Sequence, residues 1–166
     1  MTIRCRATLA IDMSAPNGIT ILPLRREHLA QVARLEAVCF AEPWSEKSLE
    51  LLLKHDNFAL VAMEGDHLVG YCGVVTALDE GQITNVAVDP AARRRGIGRA
   101  LMLAVMDEAR RKRRGLASLS LEVRVSNEAA ISLYTACGFR RVGERKNFYR
   151  FPTESAAIML CDLLEQ

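Results

Sequence analysis

Residues 93–99 read Arg-Arg-Arg-Gly-Ile-Gly-Arg, behind Asn85-Val86-Ala87-Val88-Asp89-Pro90 and ahead of a stretch of helical apolar spacing that begins at Ala100. An apolar run closed by Asp-Pro is a strand end, and the spacing beyond predicts a helix over 100–112. Gly96 and Gly98 remove side chains where a ligand would approach the backbone, and the first N–H groups of a helix lack internal partners. With the helix dipole, this makes an anion cradle. Four arginines around it, Arg93, Arg94, Arg95 and Arg99, predict an anion with more than one charge, such as a pyrophosphate.

Three phosphate-binding patterns compete for this loop. A Walker loop ends in Gly-Lys-Ser/Thr, whereas Gly98 is followed by Arg99-Ala100, so that pattern fails. A dinucleotide fingerprint needs Gly or Ala where Leu101 stands and opens a doubly wound fold, although Glu122 lies about where a ribose-binding acid would. The third pattern is Arg-x-x-Gly-x-Gly, at Arg93, Gly96 and Gly98.

Outward from the loop, the pattern predicts seven strands and four helices. A strand over 19–24 precedes helices over 27–40 and 46–54, the second N-capped by Ser45. Strands over 58–63 and 67–76 are joined by Glu64-Gly65-Asp66, a hairpin turn, and a strand over 82–88 leads into the glycine loop. The stretch 116–125 alternates cleanly, Leu119, Leu121, Val123 and Val125 on one face and Ser120, Glu122 and Arg124 on the other. A helix over 128–137 ends at Gly138, and strands over 140–147 and 156–160 finish the chain. Residues 1–17 read as a weakly structured lead-in, with Met13 an alternative start, and 18–166 as one domain. Strands before helices, then strand–helix crossovers, imply a mixed α/β sheet with a central parallel pair.

Composition narrows the class. Half of the 166 residues are hydrophobic and 25% charged, as in a soluble globular domain. No apolar run approaches the roughly 18 residues of a membrane span. Arg4 and Arg6 precede only a short apolar patch broken by Asp12, a poor secretory signal. The five cysteines are scattered without a C-x-x-C pair, which supports neither a disulfide framework nor a zinc site and points to a reducing cytoplasm. The net charge of +2 divides unevenly: residues 93–150 hold 15 Lys/Arg against 5 Asp/Glu, and the rest hold 7 against 15. The basic part suits a polyanionic ligand and the acidic part a cationic one. With 5% aromatic residues and no recognised nucleic-acid motif, no direct nucleic-acid role is expected. His28, His55 and His67 share no motif and read as structural or exposed.

The Arg93–Gly98 pattern resembles the GNAT family of acetyl-coenzyme A-dependent N-acetyltransferases, whose signature is Q/R-x-x-G-x-G/A. Three further blocks, Pro43-Trp44-Ser45-Glu46-Lys47, Leu121-Glu122-Val123-Arg124-Val125-Ser126-Asn127 and Ala129-Ala130-Ile131-Ser132-Leu133-Tyr134 with Gly138-Phe139, resemble its ribosomal-protein-alanine N-acetyltransferase subgroup. The resemblance implies a mixed sheet of about seven strands, splayed at its central parallel pair and flanked by about four helices. It implies acetyl-coenzyme A as cosubstrate and no metal. Backbone groups of Val86, Ala87 and Val88 would line the pantetheine arm, and those of Arg94, Arg95, Gly96, Ile97, Gly98 and Arg99 would hold the pyrophosphate. Asn127 would meet the arm as well as cap the next helix. Glu122 would accept a proton and Tyr134 donate one, while Pro43, Trp44 and Tyr149 would border the acceptor.

The implied acceptor is a protein N-terminus, the N-terminal alanine of small-subunit ribosomal protein eighteen, in the cytoplasm and away from membranes. An acidic rim of Glu42, Glu46, Asp79 and Glu80 would suit its basic start. The chain departs from the subgroup in 147–155, where Asn147-Phe148-Tyr149-Arg150 and Glu154-Ser155-Ala156 flank a shorter loop. That leaves open other protein N-termini, lysine side chains or a small amine as acceptor, and, in another class, a non-catalytic coenzyme A-binding module. The chemistry leans one way. Freeing an α-amino group near pH 7.4 costs under ~1 kcal/mol and a lysine ~4 kcal/mol, so one carboxylate is an adequate base for the first. Glu122 also has a plainer reading, a solvated acid beside Arg124, and Tyr134 one as a core tyrosine on the face of Ala130 and Cys137.

Overall fold

A computed structural model describes residues 15–111 and 115–164. Residues 1–14, which include Met13 and all but the last three residues of the expected lead-in, lie outside them. The strands are β1 (Thr20–Pro23), β2 (Phe58–Glu64), β3 (His67–Ala77), β4 (Glu80–Val88), β5 (Ser118–Arg124), β6 (Arg140–Tyr149) and β7 (Glu154–Asp162). The helices are α1 (Leu29–Cys39), α2 (Glu46–Leu49), α3 (Ile97–Arg111) and α4 (Glu128–Ala136). One sheet of order β1-β2-β3-β4-β5-β7-β6 joins all seven strands, and only β4 and β5 run parallel. The expected mixed sheet with a central parallel pair is thus present.

The boundaries shift where local chemistry decides. The helix expected over 46–54 tightens into a 3-10 turn at Glu50–Leu53, and the one over 27–40 begins with a 3-10 turn at Arg26–His28. There the imidazole Nδ1 of buried His28 accepts from the Arg25 N–H at 3.0 Å. Ser45 caps α2, its hydroxyl accepting from Ser48 N–H at 3.1 Å. α3 starts at Ile97, earlier than its apolar spacing shows, so its first turn contains Gly98. The last hairpin is tighter than a loop over 147–155: Tyr149 pairs with Glu154, leaving four residues between the strands.

Strand alternation sorts the core onto two faces. On one, α1, α2 and the 3-10 turn after it cover Ala59, Val61, Tyr71 and Ala87 with Leu29, Val32, Leu35, Leu49 and Leu52. On the other, α3 packs Ile97, Leu101, Met102 and Val105 onto Leu60, Ala62, Cys72 and Val74, continuous with Leu119, Leu121, Val123, Tyr134 and Phe139. Positions 97, 101 and 105 repeat every fourth residue, so one stripe of α3 faces the sheet. This packing aims the N-terminus of α3 at the end of β4.

Leu101 is wholly buried at the centre of that stripe. Leu101→Ala is expected to lower the unfolding free energy by about 2–5 kcal/mol, the range for a buried leucine that leaves a cavity. Urea denaturation measures it.

Candidate active site

The site begins where a ladder stops. β4 and β5 pair at Glu80–Ser118, Gly81–Leu119, Gln82–Ser120 and Ile83–Leu121, and no further. At that point β4 carries a bulge: Ile83 faces Val74 and Asn85 faces Gly73 on β3, which leaves Thr84 as the extra residue. A bulge bends its strand and increases the local twist. Past it β4 keeps β3 on one edge as far as Val88, β5 keeps β7 as far as Arg124, and the two parallel strands diverge. In the resulting gap, those backbone N–H and C=O groups of 85–88 that point away from β3 have no strand partner and offer polar handles to an extended ligand.

The glycine loop closes one end of the gap. Asp89 caps a 3-10 turn over Pro90–Ala92, its carboxylate accepting from Ala91 N–H at 2.8 Å. Arg94 and Gly96 then take left-handed conformations, with φ of 63° and 81°. Left-handed residues alternating with ordinary ones turn successive N–H groups toward one concavity. The first helical bond of α3 is Ala100 N–H to Gly96 C=O at 3.0 Å, so the N–H groups of Ile97, Gly98 and Arg99 precede it. A Cβ built on Gly98 would touch Leu133 Cδ2 at 3.4 Å and Val88 Cγ2 at 3.8 Å, which places this glycine between α4 and the end of β4. These features fit the diphosphate and arm of a coenzyme.

The arginines divide their work differently from the sequence expectation. Arg95 is held bidentate by Glu64 at 2.8 and 3.1 Å, and Arg93 donates to the Val88 carbonyl at 3.1 Å. Those two side chains brace the loop; Arg94 and Arg99 are the exposed pair left to meet an anion. Ile97 is core, 1% exposed, and contributes only backbone.

Glu122 and Tyr134 flank the gap from opposite faces. Glu122 lies on the α1/α2 face of β5, since its neighbours Leu121 and Val123 point into the α3 core. Its side chain is 14% exposed, and Arg145 Nε of β6 donates to it at 2.9 Å. Arg124, the neighbour of Glu122 in the plainer reading, is engaged elsewhere. It donates to the carbonyls of Arg150 and Pro152, each at 2.9 Å, pairs with Glu154 at 3.3 Å and stacks over Tyr149 at 4.5 Å. Hydrogen bonds from Ser126 and the nearby Arg124 hold the Glu154 carboxyl below its ordinary range. Tyr149, half-buried, is thereby fixed within electrostatic reach of both Glu122 and Tyr134.

Tyr134 belongs to the α3 core, with its ring 6.2 Å from that of Phe139. Burial, helped by the nearby Cys72 and Tyr149, pushes its hydroxyl well above the ordinary tyrosine value. That hydroxyl has no hydrogen-bond partner among the described residues, an uncommon state for a buried polar group. Asn127 caps α4, its Oδ1 accepting from Ala130 N–H at 3.1 Å.

The acceptor-side expectations divide. Pro43 and Trp44 line an open depression of about 600 Å³ with Lys47, Ser48, Leu51 and Lys54. Trp44 N–H donates to Glu36 at 3.0 Å. Glu80 opens β4 at the end opposite Val88, five residues before Asn85 or roughly 17 Å along a strand. Asp79 and Glu80 therefore do not share a rim with Glu42 and Glu46.

Two charged positions beside the gap escaped the sequence reading. Glu36 sits at i+4 from Val32 and i+7 from Leu29 on the buried stripe of α1, and a charge on an apolar stripe is the signal that would have found it. Arg145 reaches Glu122 across an intervening strand: Ala156 of β7 stands between Arg124 and Arg145, small enough to let the side chain pass. No local pattern announces that contact. Among the described residues no group of His, Cys, Asp or Glu is arranged to hold a metal.

Comparison with known proteins agrees with this geometry. The model of the acetyltransferase (GNAT) family matches residues 29–139. The ribosomal protein bS18-alanine N-acetyltransferase of Escherichia coli is 38% identical over 146 residues, covering 84% of this chain and 95% of that protein. The N-alpha-acetyltransferase RimI of Mycobacterium tuberculosis is 37% identical over 152 residues, covering 87% of this chain and 92% of its own. The crystal structure of the ribosomal-protein-S18-alanine N-acetyltransferase from Escherichia coli superposes with a TM-score of 0.81 at 35% identity, covering 87% of this chain and 94% of that one. On this likeness, which spans the strands and helices around the gap, the chain belongs to the GNAT family and is an acetyl-coenzyme A-dependent N-acetyltransferase.

Proposed function

We propose that this enzyme acetylates the α-amino group of an N-terminal alanine, that of ribosomal protein bS18, by direct transfer with Glu122 as proton acceptor and Tyr134 as donor. The observation that carries the reading is the placement of those two side chains on opposite faces of the gap between β4 and β5. The Escherichia coli relative, matched over 95% of its length, bears that activity in its name, and the Mycobacterium tuberculosis relative is named an N-alpha-acetyltransferase.

Acetyl-coenzyme A, when bound, supplies the acetyl group as a thioester and leaves as the thiol. The chain's own residues do the rest. Backbone groups of Val86, Ala87 and Val88 orient the arm in the gap. N–H groups from Arg94 to Arg99 hold the diphosphate, and Asn127 stands at the arm's other side. Strand N–H groups in the gap are placed to polarise the carbonyl as developing negative charge is stabilised in other acyl transfers. Pro43, Trp44 and Tyr149 border the acceptor, which approaches on the face of Glu122. Glu122 takes the ammonium proton; freeing that nitrogen near pH 7.4 costs little for an α-amine and much for a lysine. Arg145 already holds that carboxylate, so the acceptor's cationic group shares or displaces a guanidinium 60% exposed to solvent.

Tyr134 calls for a different balance from the one its ordinary value suggests. A hydroxyl raised by burial is a poorer acid toward a thiolate near 8.5 than one near 10. Its strength is that it is still protonated when the sulfur leaves: it offers a hydrogen bond as charge develops there, then passes its proton to the thiolate and regains one from solvent.

The test is intact-mass analysis of an Ala-Arg-Tyr-Phe-Arg peptide incubated with enzyme and acetyl-coenzyme A, beside an N-terminally blocked peptide with an internal lysine. One acetyl on the free N-terminus alone is expected; acetylation of the lysine peptide instead transfers the reading to another acceptor. Glu122→Gln is expected to lower kcat about 10²-fold at pH 7.4, with coenzyme affinity retained. That deficit should shrink above pH ~8, where the α-amine is already neutral; a constant deficit from pH 7 to 9 would remove Glu122 as base. Tyr134→Phe is expected to lower kcat at least tenfold. In the parent enzyme a raised Tyr134 keeps its proton past the ordinary value of about 10, so kcat should show no alkaline loss below that pH.

A further inference from the structure

Glu36 is 0% exposed, yet it carries a carboxylate into the interior between α1 and the sheet. Three donors meet it, each from a different element. The Tyr71 hydroxyl of β3 and Asn85 Nδ2 of β4, the latter at 2.5 Å, donate to Oε1; the Trp44 N–H donates to Oε2 at 3.0 Å. No cation is paired with it among the described residues. An ionised carboxylate only accepts, and all three partners donate, so the arrangement is matched without a counter-ion. Burial and the adjoining Glu36 charge both raise Tyr71, which keeps that hydroxyl a donor. A buried charge costs free energy unless hydrogen bonds compensate it, so a site that retains one needs an account.

Its position supplies the account. Tyr71 and Ala87 belong to the α1/α2 face of the sheet. Asn85 shares that face through its contact with Glu36, and Glu122 lies there too. The last pair of the parallel ladder on that face is Gln82–Ser120; beyond it, the bulge puts Thr84 and Asn85 of β4 on that face, and Glu122 of β5 stands across the opening from them. Glu36 therefore ties the loop bearing Pro43 and Trp44 to the lip of the gap opposite Glu122.

We propose that Glu36 is the positioning residue of the acceptor site. Its carboxylate fixes the Trp44 backbone against Asn85, sets the width of the passage through which the peptide N-terminus reaches Glu122, and so governs acceptor affinity without touching acceptor or coenzyme. This rests on the reading that a peptide enters on the Glu122 face.

Trp44 is the only tryptophan of the chain, so its fluorescence reports the loop directly and without turnover. The experiment compares wild type, Glu36→Ala and Glu36→Gln by Trp44 emission and acrylamide quenching, by calorimetric titration with coenzyme A, and by peptide KM and kcat. In Glu36→Ala the expected result is red-shifted emission, quenching raised about twofold and peptide KM raised about tenfold. Coenzyme Kd and kcat should each stay within threefold. Glu36→Gln should return KM to within threefold of wild type. Its remaining oxygen keeps the Trp44 N–H, while the Asn85 amide turns over and the Tyr71 hydroxyl accepts.

Unchanged Trp44 emission in the alanine variant overturns the anchor. Altered emission with unchanged peptide KM overturns the acceptor role, and so does a parallel loss of coenzyme affinity, which marks general damage to the fold. If Glu36→Ala does not fold, Asn85→Ala replaces it, removing one donor at the lip; peptide KM must rise at least threefold with coenzyme Kd unchanged, or the proposal falls. A wild type that leaves the N-terminal peptide unmodified refutes the proposed function and the acceptor role together, and Trp44 emission then still decides the anchor.

Discussion

The loss of pairing between β4 and β5 after Ile83–Leu121 is the constraint on which the remaining structure depends. A parallel pair in the middle of a sheet ordinarily continues as far as its strands do, because each abandoned hydrogen bond leaves polar backbone exposed. Here the bulge at Thr84 bends β4 away, and the sheet survives because each diverging strand keeps its outer neighbour. The two helical layers then act as braces, with α1 and α2 against one half and α3 against the other face. What remains between the strands is a slot whose walls are backbone, suited to a ligand recognised by its shape and amides rather than by one side chain.

Around that slot, charged side chains serve mainly to hold backbone in place. Arg95 ties the glycine loop to the end of β2 through Glu64, Arg93 ties it to Val88, and Arg124 gathers the turn between β6 and β7. Glu36 does the same from inside the protein. Exposed pairs such as Arg95–Glu64 contribute little to stability by themselves. Their value lies in keeping N–H groups and loops where a ligand finds them already arranged, so that less ordering is needed on binding.

The features written in local chemistry were legible in the sequence. The clean alternation over 116–125 assigned Glu122 to one face and Leu121 to the other, and Gly65, Gly138 and Ser45 marked a turn, a helix end and a cap where the structure has them. Contacts spanning the sheet were not. Glu36 went unremarked because its partners lie on β3, β4 and a loop, 35 and 49 residues away for the first two. Arg145 reaches Glu122 over a strand that comes later in the chain than either. The arginines of the loop were legible as a group but not one by one: two of them bond to protein, which only the placement of Glu64 and Val88 reveals.

The two outermost strands carry a consequence of their own. β1 is four residues long and ends in Pro23, too short to template another strand. β6 is ten residues long and, among the described residues, has an unpaired edge, the kind of surface that invites a second sheet to add on. It holds Arg140, Arg141, Arg145 and Lys146, and its register against β7 slips twice, between Arg141 and Gly143 and between Arg145 and Tyr149. A second copy offering the same strand would set guanidinium against guanidinium along a broken hydrogen-bond row. The same cationic strand that steadies Glu122 therefore also guards the sheet against growing into an aggregate.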